Sequence, residues 1–196
     1  IHKLIKKEHP FLTGSDDGAF AVVMAFSEKT DEQLFSDMEW INKELKNDGF
    51  NSYCSATLSR LFAMTPGDHH EKCIKIRKVF DALKAEGRKY GTDYEIGVLG
   101  GLMCHDVPAE TLVNDILDAD AFLAEQKGYG LFGFDKKERL MHAAMIVADH
   151  YAAGGDDKGV GLSAITSTIT MAIMMQTVVI IGATTGAIAA SSSAGH

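Results

Sequence analysis

Proline is scarce in this sequence: three residues in 196, at Pro10, Pro66 and Pro108. Long stretches are therefore free of the ring that breaks helical hydrogen bonding, and β-branched runs are rare before residue 160. Both features argue against sheet and for helix. Cysteine is equally scarce, and odd in number: Cys54, Cys73 and Cys104, with no CxxC spacing. A disulfide framework is excluded, and reduced, buried thiols in a cytoplasmic protein are expected. Basic residues are too few to dominate, with 19 Lys and Arg against 27 Asp and Glu and a net charge of −8. No basic patch offsets this, so nucleic acid is not an expected partner. The most telling absence is local: no Asp, Glu, Lys or Arg occurs from Gly159 to Gly195.

That charge-free stretch contains LSAITSTITMAIMMQTVVIIGATTGAIAA, Leu162 to Ala190. A helix that is apolar all round must be surrounded by protein or by lipid. Ser163, Thr170, Thr177, Thr184 and Ser191 recur every seven residues, which puts hydroxyls along one seam. Gly182 and Gly186 offer a small-residue face for close helix contact. Gly182, Gly186, Thr177 and Thr184 are therefore the expected interface residues, in the core or between subunits. A membrane anchor is the alternative, since the segment is long enough to span a bilayer. Its flanks argue otherwise: Asp156 and Asp157 precede it, no Lys or Arg follows it, and no Trp or Tyr belt brackets it.

The rest of the chain reads as helices in pairs. Residues 1–10 contain the short basic amphipathic piece IHKLIKKEH, expected as the tail of a preceding helix or a fragment start. An apolar helix AFAVVMAFSE follows the start signal at Thr13 to Asp16. Thr30-x-x-Gln33 is a capping box. Leu34, Met38, Ile41 and Leu45 behind it share one helical face, and Gly49 is a stop. A second apolar helix spans Ala56 to Met64, and Pro66 breaks it. Asp68-x-x-Glu71 then starts an amphipathic helix with Cys73, Ile76, Phe80 and Leu83 inward, ending at Gly87. Glu95 to Met103 is a third, Gly-rich apolar helix. Pro108 opens its partner, with Leu112, Ile116, Ala119 and Leu123 inward and Gly128 at the stop. Asp135-x-x-Glu138 starts another, with Leu140, Ala144, Val147 and Tyr151 inward. The stops at Gly49, Gly87 and Gly128 lie 38 and 41 residues apart. A period near 40 with two helices per unit is that of an α-hairpin array, whose units bury their faces by stacking. The expected fold is thus all-α: stacked helical hairpins in one domain over 11–196. Residues 154–159 form a flexible linker before an apolar helix over 160–191.

PFLTGSDD, then LAEQKGYGLFGFDKKERLMHAAMIVAD, then an Ile/Met/Ala/Thr-rich end running into SSS, resemble a bacterial family of uncharacterised proteins, domain-of-unknown-function family 4003. The resemblance covers nearly the whole chain, with the stretch from EQKG to DKKERLM its most specific part. It implies a bacterial, cytoplasmic, helical protein and carries no catalytic residues with it.

Several side chains invite a chemical reading. Gly128-x-Gly130-x-x-Gly133 matches a dinucleotide fingerprint literally, but the motif requires a strand before it, and here a helix precedes. A helix stop and turn is the expected role. His142 and Asp149 are seven apart on one helix and share a face, while His150 lies about 80° round from His142. With His105 and Asp106 they could compose a zinc or iron site, although the usual i, i+4 His pair is missing. His69 and His70 point about 100° apart and are poor joint ligands. Ser15, Asp16 and Asp17 suit a helix start, since carboxylates there meet the positive end of the dipole. Cys104 beside His105 would need a third, orienting group to make a nucleophile.

These observations assign no catalytic residue and no cofactor. They point to a non-catalytic interaction or scaffold module that engages a protein partner or a second copy of itself. A metal-dependent enzyme using His105, Asp106, His142 and Asp149 is one alternative; a membrane-tethered protein is the other. If Leu162 to Ala190 packs against protein, Gly186→Leu should clash and cost about 1–3 kcal/mol or more. Deleting Ser163 onward should likewise abolish cooperative melting. An unchanged melting temperature in both variants would instead identify a detachable tail.

Overall fold

The computed structural model describes residues 29–129 and 134–153. The chain is all-α: the described residues form six helices and no strand. They are α1 (Asp31–Asn47), α2 (Ser52–Met64), α3 (His69–Ala85), α4 (Ile96–Leu102), α5 (Ala109–Ala124) and α6 (Lys136–Ala153).

Local chemistry accounts for most of the boundaries. Thr30 accepts from the backbone N–H of Gln33, and the Gln33 side chain accepts from that of Thr30, the reciprocal pair expected of a capping box. Gly49 and Gly87 have φ of +86° and +72°, a left-handed conformation open to glycine at little cost. At both, the chain closes the helix in the same way. Gly49 N–H donates to Lys46 O and Phe50 N–H to Leu45 O; Gly87 N–H donates to Lys84 O and Arg88 N–H to Leu83 O. These are the two bonds of a Schellman stop, so the similar sequences before Gly49 and Gly87 encode one device used twice. Asp68 caps α3 through Glu71 N–H, and Asp135 accepts from Lys137 and Glu138 N–H ahead of α6. The start of α2 differs from expectation. Asn51 caps it through Cys54 N–H at 2.8 Å, so the helix begins at Ser52 rather than Ala56. The added turn is polar, and an apolar run alone does not reveal it.

The helices lie in two rows. In one row α1 touches α3 and α3 touches α5; in the other, α2 touches α4 and α4 touches α6. Contacts of α1 with α2 and of α5 with α6 join the rows. Leu34, Ile41, Leu45, Ile76, Leu83, Leu112 and Ile116 fill the space between them, as their helical spacing requires. Within the second row α4 packs closely on α2 at Gly100. A methyl group there would lie 2.5 Å from Leu58 Cδ2 and 2.9 Å from Leu61 Cδ2, so a larger residue would require both leucines to shift.

One buried charge crosses the rows. Asp120 on α5 is fully buried; its Oδ2 accepts from Arg88 Nε at 2.7 Å and its Oδ1 from Arg139 Nε at 2.7 Å. It ties the segment after α3 to both α5 and α6. The arginines differ in access, with side chains 43% exposed at Arg88 and 14% at Arg139. Asp120→Ala should therefore strand Arg139 and cost about 3 kcal/mol or more in urea unfolding. Arg88→Ala should cost at most about 1 kcal/mol, because Arg139 still satisfies the carboxylate and Arg88 is half in water.

Candidate functional site

The first half of α3 and the turn between α4 and α5 form the walls of an open groove of about 630 Å³. On α3, Glu71, Ile74, Lys75 and Lys78 follow i, i+3, i+4, i+7 spacing and so line one face. Opposite, α4 tightens into a turn through bonds from Met103 to Gly100, Cys104 to Gly101 and His105 to Leu102. Val107 and Pro108 then lead into α5.

Lys72 lies at the base of this groove, only 5% exposed. Its Nζ donates to Thr65 O at 2.9 Å, to Thr65 Oγ1 at 2.9 Å and to Phe62 O at 3.4 Å. These acceptors are the carboxyl end of α2, whose last carbonyls have no partner within the helix. Burial lowers the pKa of the ammonium group. The Thr65 hydroxyl donates back to Leu61 O at 3.0 Å and accepts from Cys104 Sγ at 3.4 Å as well as from Lys72. Lys75 Nζ donates to His105 O at 2.7 Å and thus pins the opposite wall. Its pKa is also lowered by burial.

The candidate metal ligands have different surroundings. His105 and Asp106 are in the groove wall. The His105 ring packs 6.1 Å from that of Tyr151, and its Nε2 is buried without a hydrogen-bond partner. Burial, then the nearby Lys75 charge, lowers its pKa. Asp106 is exposed at the rim. His142 instead faces Tyr129 and Phe134. Its Nδ1 lies 2.9 Å from Tyr129 Oη, and both aromatic rings meet it edge to face. Asp149 is exposed on α6. Among the described residues no three His, Cys, Asp or Glu side chains converge as a metal site. Gly182, Gly186, Thr177 and Thr184 lie outside the described residues.

The cysteines and Gly128 resolve as packing and a turn; Ser15, Asp16, Asp17, Gly130 and Gly133 lie outside the described residues. Gly128 has φ of +101° in a turn after α5, so the glycine-rich stretch follows a helix, without the strand a dinucleotide site needs. Cys104 directs its thiol to Thr65 and Gly100 rather than to His105, and burial raises its pKa. Burial likewise pushes Cys54 up to about 11 and Cys73 up to about 12, and all three thiols are unpaired. They are protonated and weakly nucleophilic at neutral pH. The groove's Lys72 and Lys75, and the buried Thr65 behind them, were not legible as a site. Lys72 adjoins Cys73 at the edge of the apolar face of α3, and only the fold of the Thr65–Pro66–Gly67 turn brings it under α2.

The family model for a protein of unknown function, DUF4003, matches residues 1–183. The chain belongs to this family. Among curated proteins and among solved structures, nothing matches it. Among the described residues, no helix is long and apolar enough to cross a membrane.

Lys72→Met keeps the length of the side chain but removes the donor to the Thr65 carbonyl and hydroxyl. It should lower stability by about 1–3 kcal/mol in urea unfolding. Lys78→Met, at the exposed rim, should stay within about 0.5 kcal/mol of the parent.

Proposed function

We propose that this chain is a non-catalytic interaction module, an array of helical hairpins in the bacterial cytoplasm, that holds a segment of a protein partner in the α3/α4–α5 groove. The observation that carries the proposal is what the groove leaves free. Its inner cations, Lys72 and Lys75, are bonded to backbone carbonyls, and its thiol is pushed toward the protonated form. Among the described residues of the groove no nucleophile is hydrogen-bonded to a base, which a covalent or acid–base mechanism would require. What remains is an apolar surface of Pro66, Ile74, Val107 and Pro108, with Ile74 41% exposed at its middle. Around it stand the exposed charges of Glu71, Asp106, Glu110 and Lys78, acidic on balance. An apolar anchor flanked by Lys or Arg complements such a surface. Three unpaired thiols support the reducing compartment. The metal-enzyme alternative has less support, because His142 is taken up by Tyr129 and Phe134 while His105 packs on Tyr151.

Fluorescence anisotropy with a short leucine–lysine peptide and its leucine–glutamate counterpart tests this reading. The lysine peptide should bind the full chain, more weakly as salt rises. Ile74→Asp and the double reversal Glu71→Lys/Glu110→Lys should each weaken binding about tenfold, while Glu86→Lys, remote from the groove, should not. Equal binding of the two peptides, or an equal loss in the Glu86→Lys control, would overturn it.

A further inference from the structure

We propose that the partner segment held in the groove continues over α3 and lays a Lys or Arg side chain on Trp40; this rests on the groove being the partner's site. Trp40 is the only tryptophan in the chain, and it stands 44% exposed on α1. Its ring centroid lies 6.1 Å from that of His70 on α3, with 62° between the planes. His70 is itself exposed. Ile74, at the middle of the groove's apolar surface, follows His70 by four residues and so stands beside it on the same face of α3. Trp40, His70 and Ile74 therefore make one exposed strip that leaves the groove, crosses α3 and ends on α1. Helix neighbours four apart lie about 5–6 Å from each other, so the strip is on the order of 12 Å long, which about four residues of extended chain would cover.

The charges along the strip select its occupant. Asp68 and Glu71 are exposed at the start of α3, next to His70 in sequence. Glu44 follows Trp40 by one turn of α1, and its charge acts on Cys73 of α3, so it lies on the same side as the strip. Asp37, also on that side, is already paired with Lys29. Of the nearby cations, Lys43 is turned the other way, into the crevice against α2, and Lys78 stands two turns beyond His70. An indole face is the best aromatic partner for a cation. Carboxylates around it draw a positive charge to the same place. A Lys or Arg about four residues from the side chain seated on Ile74 meets both conditions. A second copy of the chain is a poorer occupant, since this acidic face would meet a chain of net charge −8.

Trp40 reports the contact without a label, in the full chain. Before any addition its emission should be that of an indole in contact with water. The leucine–lysine peptide should quench it with the midpoint that anisotropy gives. Trp40→Ala should weaken binding of that peptide about fivefold, and Trp40→Phe, which keeps a ring, should weaken it less. When the lysines are acetylated, which removes the charge and keeps the chain, Trp40→Ala should cost about twofold at most. An equal loss with both peptides would overturn the inference. So would emission and a Trp40→Ala affinity that stay at the parent values while Ile74→Asp weakens binding, a result that leaves the groove standing. No binding of the peptide, or binding indifferent to Ile74→Asp, would overturn both readings. Emission of the free chain that is blue-shifted, or that shifts as the chain alone is concentrated, would mean that the chain itself or a second copy covers Trp40, and would overturn the inference too. Should Trp40→Ala fail to fold, Trp40→Phe and the emission of the parent decide.

Discussion

Helix α2 is enclosed, and that enclosure determines much of what surrounds it. From Cys54 to Met64 every residue but Thr57 is buried. A helix ends with carbonyls that have no partner inside it, and when its end is buried water cannot supply one. Two lysines do so here. Lys72 reaches Phe62 O and Thr65 O from α3, and Lys29 reaches Ala63 O from the chain ahead of α1. Both place a positive charge at the negative end of the helix dipole, where it is favoured. The Lys72 and Lys29 contacts are therefore two parts of the same solution to one helix end.

Asp120 follows the same logic in a different place. A carboxylate removed from water needs donors with fixed geometry, and two arginine forks provide them. Tyr151 adds a bond from the end of α6 to Asp115, so α5 and α6 are joined along their length by polar contacts as well as by packing. These interactions fix which helix lies against which, something that hydrophobic burial, having little direction, leaves open.

The chemistry of the groove bears on the function proposed for this chain. Lysine, cysteine, histidine and threonine together would suit a reactive site. Here each is occupied by a structural bond or shifted away from reactivity: the lysines hold carbonyls, the thiol holds a hydroxyl, and the histidine packs on a tyrosine. An exposed apolar centre between such walls is what the proposed recognition uses. A surface that keeps its shape loses less entropy when a partner arrives.

Capping residues, the inward-facing stripes and the glycine stops were legible in the chain because each depends on neighbours within a few residues. Thr30 with Gln33, Leu34 to Leu45, and Gly49 and Gly87 all behave as local chemistry requires. The all-α class followed from them. The groove was not legible. His105 and Asp106 could be suspected of chemistry, but Thr65 and Lys72 are seven positions apart across a proline, and Lys75 and His105 are separated by 30. The sequence alone determined helices, their ends and their apolar faces, since those follow from backbone bonding and periodicity. Only the tertiary structure decided which polar groups lose water, and therefore which lysine, aspartate and histidine must find each other.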